Sequence, residues 1–336
     1  MTIHLSNVVA SQPQSAGDSC TIRPFCHADF YREASAVSSQ APSPSSSPLI
    51  RVDHFAMTAS DAVFPSVPGA RPGLWVATLM LEDCRGLMQR LGGNGEDHQL
   101  QAGDLLWTRE DAGVMRARAA GEGASPSAEL RLNGLRMVVG LHGQSEPGAG
   151  AESESESERP PLSVTPTLLR GWEMPVIKTD AGRIRVAAGS HAGSQSPLAT
   201  PAPMTILDVW LRPGATQLVP LAPGWNAWVY AVSGALGVRA RHRRIGAPPL
   251  PRQAAGDPDF AVLDAGSALV ASASVGDEEG VLVLMAGKGP THFVLVGSVG
   301  NVGNVGNVGN VGGAVSAGSA PSAAMPSRRG AKPLAA

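Results

Sequence analysis

The stretch "PGWNAWVYAVSGALGV", from Pro223 to Val238, constrains the fold more than any other part of the chain. Trp228, Tyr230 and Val232 fall on one face of a period-two strand, and Ala227, Val229 and Ala231 fall on the other. Ser233-Gly234 then turns the chain into a returning apolar run. A strand that is apolar on both faces belongs between two layers, as in a barrel or a sandwich.

The same punctuation recurs along the sequence. Forty Gly and 28 Pro separate short apolar runs, too many for a helix-rich protein. In a first block, "LWVATLML", "GDLLW", "GVMRARA" and "GLRMVVGL" read as strands beside Gly or Asp turns. In a second, "RIRVAAG", "MTILDVWLRPGA", "TQLVPL", "FAVLDAGSALVAS" and "GVLVLMAG" follow at hairpin spacing. The pattern predicts an all-β protein of two tandem jelly-roll barrels, and 43% hydrophobic residues can fill their cores.

Four segments lack the apolar residues to pack. They are "SSQAPSPSSSP" (Ser38 to Pro48), "GQSEPGAGAESESESERPP" (Gly143 to Pro161), "RHRRIGAPPLPRQAAGDPD" (Arg241 to Asp259) and the "NVGNVGNVGNVG" tail from about Ser298. These breaks set the expected boundaries: a strand region and Ser/Pro loop over 1–49, a first barrel over 50–142, an acidic linker over 143–170, a second barrel over 171–297 and a low-complexity tail over 298–336.

A net charge of −2 creates no field that would draw in nucleic acid or an anionic membrane. The basic "RARHRRIG" has no interleaved aromatics and reads as a charged hairpin loop. No apolar run approaches the about 20 residues that span a bilayer, and "MTIHLSNVVASQ" has no secretory pattern. Cys20, Cys26 and Cys84 are odd in number and lack CxxC spacing, which predicts reduced thiols in a cytoplasm. A soluble, cytoplasmic monomer is expected.

"EMPVIKTDAGRIRVAAGS", "MTILDVWLRPGATQLVPLAPGWNAWVYAVSGALGV" and "LDAGSALV" resemble the C-terminal domain of the pirins, which are two-barrel cupin proteins. "SCTIRPF", "LIRVDHFAM", "FPSVPGARPG", "GDLLW", "GVMRARA" and "NGLRMVVGL" resemble the N-terminal pirin barrel, in the family's order. The resemblance implies a bicupin. It also implies one metal, usually iron, in the first barrel. Some pirins act as quercetin dioxygenases, others as metal-dependent partners of transcription factors or metabolic enzymes.

The family's ligands are two His in a Phe-Pro-Asp-His-Pro-His-Arg-Gly loop, and a His and a Glu in a Gly-Ile-Val-His-Ser-Glu strand. Three imidazoles and a carboxylate with open positions suit a non-haem Fe(II) centre. On this sequence the loop motif falls on Phe64 to Gly69, so Val67 and Gly69 stand at the His positions; no His occurs between Phe55 and Asp97. The strand motif, aligned through Gly113, Val114 and Met115, puts Arg116 at the His and Arg118 at the Glu. Val and Gly cannot coordinate a cation, and an arginine stays protonated with no lone pair to offer.

Arg116 and Arg118 share one strand face, which the cupin resemblance makes the barrel interior. Buried there they require carboxylates or an anionic ligand. Val67, Gly69, Arg116 and Arg118 are thus the candidate pocket at the former metal site. No Ser/His/Asp arrangement, phosphate loop or dinucleotide fingerprint is present.

Two functional readings stay open. In the leading one the chain is a pirin-like pseudoenzyme without a cofactor, which works by binding a protein partner or a small anionic or aromatic ligand. In the other it is a quercetin-dioxygenase-like oxidoreductase whose metal is held by recruited ligands such as His54 in "RVDHFAM" or His98 in "NGEDHQLQAGD". The fold alone does not choose between them.

Overall fold

The computed structural model describes residues 3–16, 19–30, 47–60, 62–64, 74–91, 97–109, 114–119, 130–140, 167–200, 202–242, 259–274 and 280–300. The chain divides into two units, Met1–Val302 and Gly303–Ala336, and every described residue lies in the first.

That unit is built almost entirely of antiparallel strands, with 3-10 turns at His27–Phe30 and Gly171–Glu173 among the described residues. It holds two barrels. In the first, a seven-stranded sheet runs in the order Thr167–Leu169, Leu105–Arg109, Trp75–Met80, Leu132–Val139, Leu49–Met57, Cys20–Cys26 and Gln14–Ser15. A four-stranded sheet faces it, in the order Val63–Phe64, Val114–Arg118, Leu87–Leu91 and Asp97–Leu100. In the second barrel, a large sheet built on Met204–Leu211, Trp225–Ser233, Ser267–Ala273 and Thr291–Val299 faces the four strands Thr216–Leu221, Gly280–Ala286, Leu236–His242 and Phe260–Leu263. The all-β, tandem jelly-roll expectation is what the chain adopts.

Side-chain alternation sorts the apolar residues into three cores. Ile184, Val209, Val229, Leu269, Leu284 and Leu295 fill the second barrel. Phe55, Met57, Met80, Met88, Leu100 and Leu132 fill part of the first. The third core lies between the two large sheets, where Leu79, Trp107, Leu135 and Met137 meet Ile206, Trp228, Tyr230 and Val294. Each buried side chain of this size contributes roughly 1.5–3 kcal/mol of transfer free energy, so the barrels are joined by a true core. The expected faces of Trp225–Ser233 hold: Trp228 and Tyr230 face the other barrel, and Ala227, Val229 and Ala231 line their own.

Some edges depart from a simple tandem plan. Ile3–Leu5 and Val9–Ala10 pair with Ser267–Ala273, so the N-terminal strands complete the second barrel rather than the first. Thr167–Leu169, inside the stretch read as linker, is an edge strand on Leu105–Arg109. The last strand runs to Val299, past the expected end of the second barrel. The rest of the acidic segment, 143–166, and the tail from 301 lie outside the described residues. Inside the first barrel the sequence is tight at Gly134, where a Cβ would sit 2.5 Å from Phe55 Cζ and 2.7 Å from the Leu79 carbonyl oxygen.

Candidate functional site

The first barrel differs from the second in holding charge. Antiparallel register sets Phe64, Met115, Arg90 and His98 side by side across the four-stranded sheet. The facing row on the larger sheet is Asp53, Arg136, Thr78 and Leu106. Directly paired residues of an antiparallel ladder share a face, and Leu106, Phe64 and Met115 belong to the barrel-interior core, so both rows point inward. The Arg136 guanidinium lies 4.1 Å from the centroid of the Phe64 ring and joins row to row.

Asp53 is the fixed point of this polar layer. Its carboxylate, fully buried, accepts from Arg136 Nη2 at 2.7 Å and from Arg51 Nε at 2.7 Å. Arg136 and Arg90 are each 4% exposed. His98 is half-buried, and its Nε2 is enclosed without a hydrogen-bond partner. Below the layer the interior turns apolar, with Met88, Leu100 and Ala117 on one wall and Phe55 and Met80 on the other.

Arg116 and Arg118 are not part of this interior. Met115 and Ala117 pack into the core, so the intervening residues take the opposite face: Val114 and Arg118 are exposed, Arg116 is half-buried, and Arg118 Nε donates to Gln89 Oε1 at 3.1 Å on that outer side. The expected pocket face is therefore out of phase by one residue, and a one-residue slip exchanges the two faces of a strand. Val67 and Gly69 fall in 65–73, outside the described residues.

His98, named as a recruited ligand, stands on the strand Asp97–Leu100 and faces inward beside Arg90. His54 points the other way, toward the second barrel. Its Nδ1 is 2.5 Å from the Tyr230 hydroxyl and its Nε2 is 2.6 Å from Asn133 Oδ1. Burial, more than the nearby Arg23 and His292 charges, pushes the His54 pKa below the usual imidazole value and keeps the ring neutral. Burial likewise raises the Tyr230 pKa. The assignment follows: Tyr230 donates to Nδ1, Nε2–H donates to Asn133 Oδ1, and Asn133 Nδ2 donates to the Asp83 carboxylate at 3.1 Å, which pairs with Arg131 at 3.0 Å. Both ring nitrogens are occupied, so His54 has no lone pair left for a metal.

A second polar network crosses the interface and has no counterpart in the sequence reading. Asp208, fully buried, accepts from Arg185 Nη1 at 3.1 Å and lies 2.5 Å from His292 Nε2. Trp210 stacks on His292 with centroids 4.0 Å apart. Arg185 also donates to the Gly103 carbonyl of the first barrel, and Glu82 pairs with Arg183. Gly103, at φ +85°, has no room for a side chain there, because a Cβ would lie 2.9 Å from Arg185 Nη2. The signal in the sequence was Asp208 itself, a lone carboxylate in the apolar run "MTILDVWL" that needs a buried cation.

Among the described residues no three His, Cys, Asp or Glu side chains are grouped as a metal requires. Among the described residues the polar layer offers one carboxylate and one imidazole among guanidiniums and a thioether, and these described side chains alone do not make up the donor set of a divalent cation.

No family model matches the chain. Human pirin is 26% identical over 140 residues, 42% of this chain and 41% of that protein. A tomato pirin-like protein is 24% identical over 251 residues, 75% of this chain and 70% of that protein. Among solved structures, GK1651 of Geobacillus kaustophilus superposes with a TM-score of 0.59 at 18% identity, over 89% of this chain and 96% of that one. The Escherichia coli pirin YhhW, in complex with nickel(II), gives a TM-score of 0.50 at 12% identity over 89% and 99%.

In sequence the chain is thus similar to pirins at 24–26% identity, and in fold it is similar to a bacterial pirin. The pirin likeness spans less than half of human pirin in sequence, yet covers nearly all of YhhW in fold. A quercetin 2,3-dioxygenase from Acinetobacter baumannii shares the fold as well, with a TM-score of 0.55 at 17% identity over 89% of this chain and 86% of that one. Among the described residues no helix is long and apolar enough to cross a membrane.

Proposed function

We propose that this chain is a pirin-like binding protein that works without a metal cofactor. The observation that carries the reading is the donor set on the inner face of the first barrel, where the described residues place Arg90, Arg136, Met115 and Ala117 and, among the described residues, no three His, Cys, Asp or Glu side chains group as a metal requires. The inner face of Val114–Arg118 carries Met115 and Ala117, neither of them a ligand for a hard cation. In this reading the partner is a protein or a small anionic ligand, and the three thiols suit a cytoplasmic setting.

One observation favours the alternative, a dioxygenase with recruited ligands: His98 Nε2 is enclosed and unpartnered on the inner face. The experiment that separates the two readings is elemental analysis of untagged protein after incubation with Fe(II), Ni(II), Mn(II) or Cu(II) and desalting. The binding-protein reading expects no stoichiometric metal. Metal retained at one per chain and lost in His98→Ala would overturn it.

A further inference from the structure

We infer that the outer face of the second barrel's four-stranded sheet docks an acidic, apolar segment of a partner protein. Antiparallel register sets Leu218, Val283, Arg239 and Phe260 in one row across that sheet, with Arg241 and Val262 two residues further along their strands on the same face. Val219, Leu284 and Val238, which alternate with this row, belong to the barrel core, so the row points outward. Leu218 is 54% exposed and Val262 52%. The water-facing side of an antiparallel sheet is ordinarily polar, and the corresponding face of the first barrel carries Gln89, Gln99 and Asp97. An apolar outer face of this kind marks an interaction surface.

Charge chooses the occupant. Among the described residues this face carries Arg239 and Arg241 and no carboxylate, and neither guanidinium has an ion-pair partner. Arg239 lies 5.2 Å from the Phe260 ring centroid with its Nε unbonded, and Arg241 is exposed. Two copies of the face would bring like charges together with no carboxylate between them, which disfavours a symmetric dimer. Nucleic acid would set phosphates against Leu218 and Val262, and among the described residues finds only the Phe260 ring to stack on. Carboxylates beside large apolar side chains answer both features. Arg239 and Arg241 stand about 7 Å apart by the strand repeat, which is also the spacing of alternate side chains in an extended peptide. This surface gives the protein partner of the reading above a chemistry; it rests on that reading, and its place on the other barrel lets the two be tested apart.

The test follows fluorescein-labelled Glu-Leu-Asp-Phe-Glu-Leu-Asp-Phe-Glu by anisotropy as the full chain, treated with chelator and desalted, is added with and without Fe(II), Ni(II) or Mn(II). Four further probes run beside it: the peptide with Lys for each acid, the peptide with Ser for each Leu and Phe, a peptide of residues 150–164 of this chain, and single-stranded oligothymidine. The expected result is saturable binding of the acidic apolar peptide without metal, tighter than the other four and weakened by salt. An exposed ion pair contributes up to about fivefold, so Arg239→Gln combined with Arg241→Gln should weaken binding about tenfold. Leu218→Ser should lose about fivefold, while Arg118→Gln on the first barrel binds as the parent does. Arg241→Gln alone and Val262→Ser, both at exposed positions, replace these variants if circular dichroism finds them unfolded.

Affinity unchanged in the arginine and Leu218 variants overturns the site. Tighter binding of the Lys peptide, the Ser peptide or the oligonucleotide overturns the partner's chemistry. Tighter binding of the 150–164 peptide overturns an outside partner in favour of the chain's own acidic stretch. An absence of binding to every probe, with no metal retained, overturns the surface and leaves the metal-free reading standing. Binding that needs added metal and is lost in the same variants supports the surface and overturns the metal-free reading.

Discussion

The Tyr230 hydroxyl, on the second barrel, donates to Nδ1 of His54, on the first, across 2.5 Å of the core that joins them. Neither group has water to fall back on, because both are enclosed between the large sheets. Removing one partner leaves the other unsatisfied, at a cost of about 1–3 kcal/mol. Tyr230→Phe is therefore expected to lower stability by about that amount in urea denaturation. An unchanged midpoint would mean that the hydrogen bond contributes nothing.

The same pair makes stability depend on pH. Burial holds the folded His54 pKa below the ordinary 6.5 of an imidazole, with Arg23 and His292 pushing the same way and Asn133 and Asp83 opposing. Between the folded and unfolded values the unfolded chain binds a proton that the folded chain does not. The contribution is fully present above pH 6.5 and is lost as the pH falls through the folded pKa. His191, also lowered by burial, acts in the same direction but is common to parent and variant. The melting temperature of the parent should fall more steeply between pH 7 and 5 than that of His54→Gln; parallel curves would contradict this.

The two arginine-bearing faces of the first barrel should differ sharply under mutation. Asp53→Asn leaves the buried Arg136 and the adjoining Arg51 without their counter-charge and is expected to cost about 3–5 kcal/mol. Arg118→Gln removes an exposed contact to Gln89 and should change stability by no more than about 0.5 kcal/mol. Chemical denaturation of both variants measures the difference, and comparable losses would put Arg118 inside the barrel after all.

Thiol chemistry offers an independent probe of packing. Burial pushes the Cys84 pKa up to about 12, although the Asn133 backbone N–H donates to its Sγ at 3.2 Å, and burial also raises the Cys20 pKa. The thiolate is the nucleophile, so at pH 7.5 its population at Cys84 is lower by about a thousandfold than for a free cysteine. Iodoacetamide followed by peptide mass mapping should label Cys20 and Cys84 slowly in native protein and rapidly in urea. Equal rates in both states would contradict the burial of these thiols.

Much of the fold was legible because alternation is a local property. Trp228 and Tyr230 separate from Ala227, Val229 and Ala231 by the period of the strand alone, and Gly234 adopts the positive φ that the Ser-Gly turn requires. The site was harder to read. A family motif laid on Val114–Arg118 set Arg116 and Arg118 facing inward, whereas the apolar Met115 and Ala117 of "VMRAR" already indicated the opposite phase. Arg136 gave no such signal, because "LNGLRMVV" is apolar on both sides of it and every residue of that strand is buried. Asp208, Arg185 and His292 come from strands far apart in the chain. Only the register of the folded sheet brings them to one place.

The N-terminal strand has a consequence for how the molecule is made. Ile3–Leu5 pairs with Ala271–Ala273, and the Val270 amide donates to the Ser6 hydroxyl across a separation of 264 residues. A ribosome delivers the edge of this sheet long before the strand that will hold it. Throughout synthesis of the first barrel that early segment has no partner of its own, and the second barrel closes only when its last strands emerge. Such distant pairing makes for slow maturation. It leaves an interval in which a nascent chain carries an unsatisfied β edge, open to chaperones or to a neighbouring nascent copy.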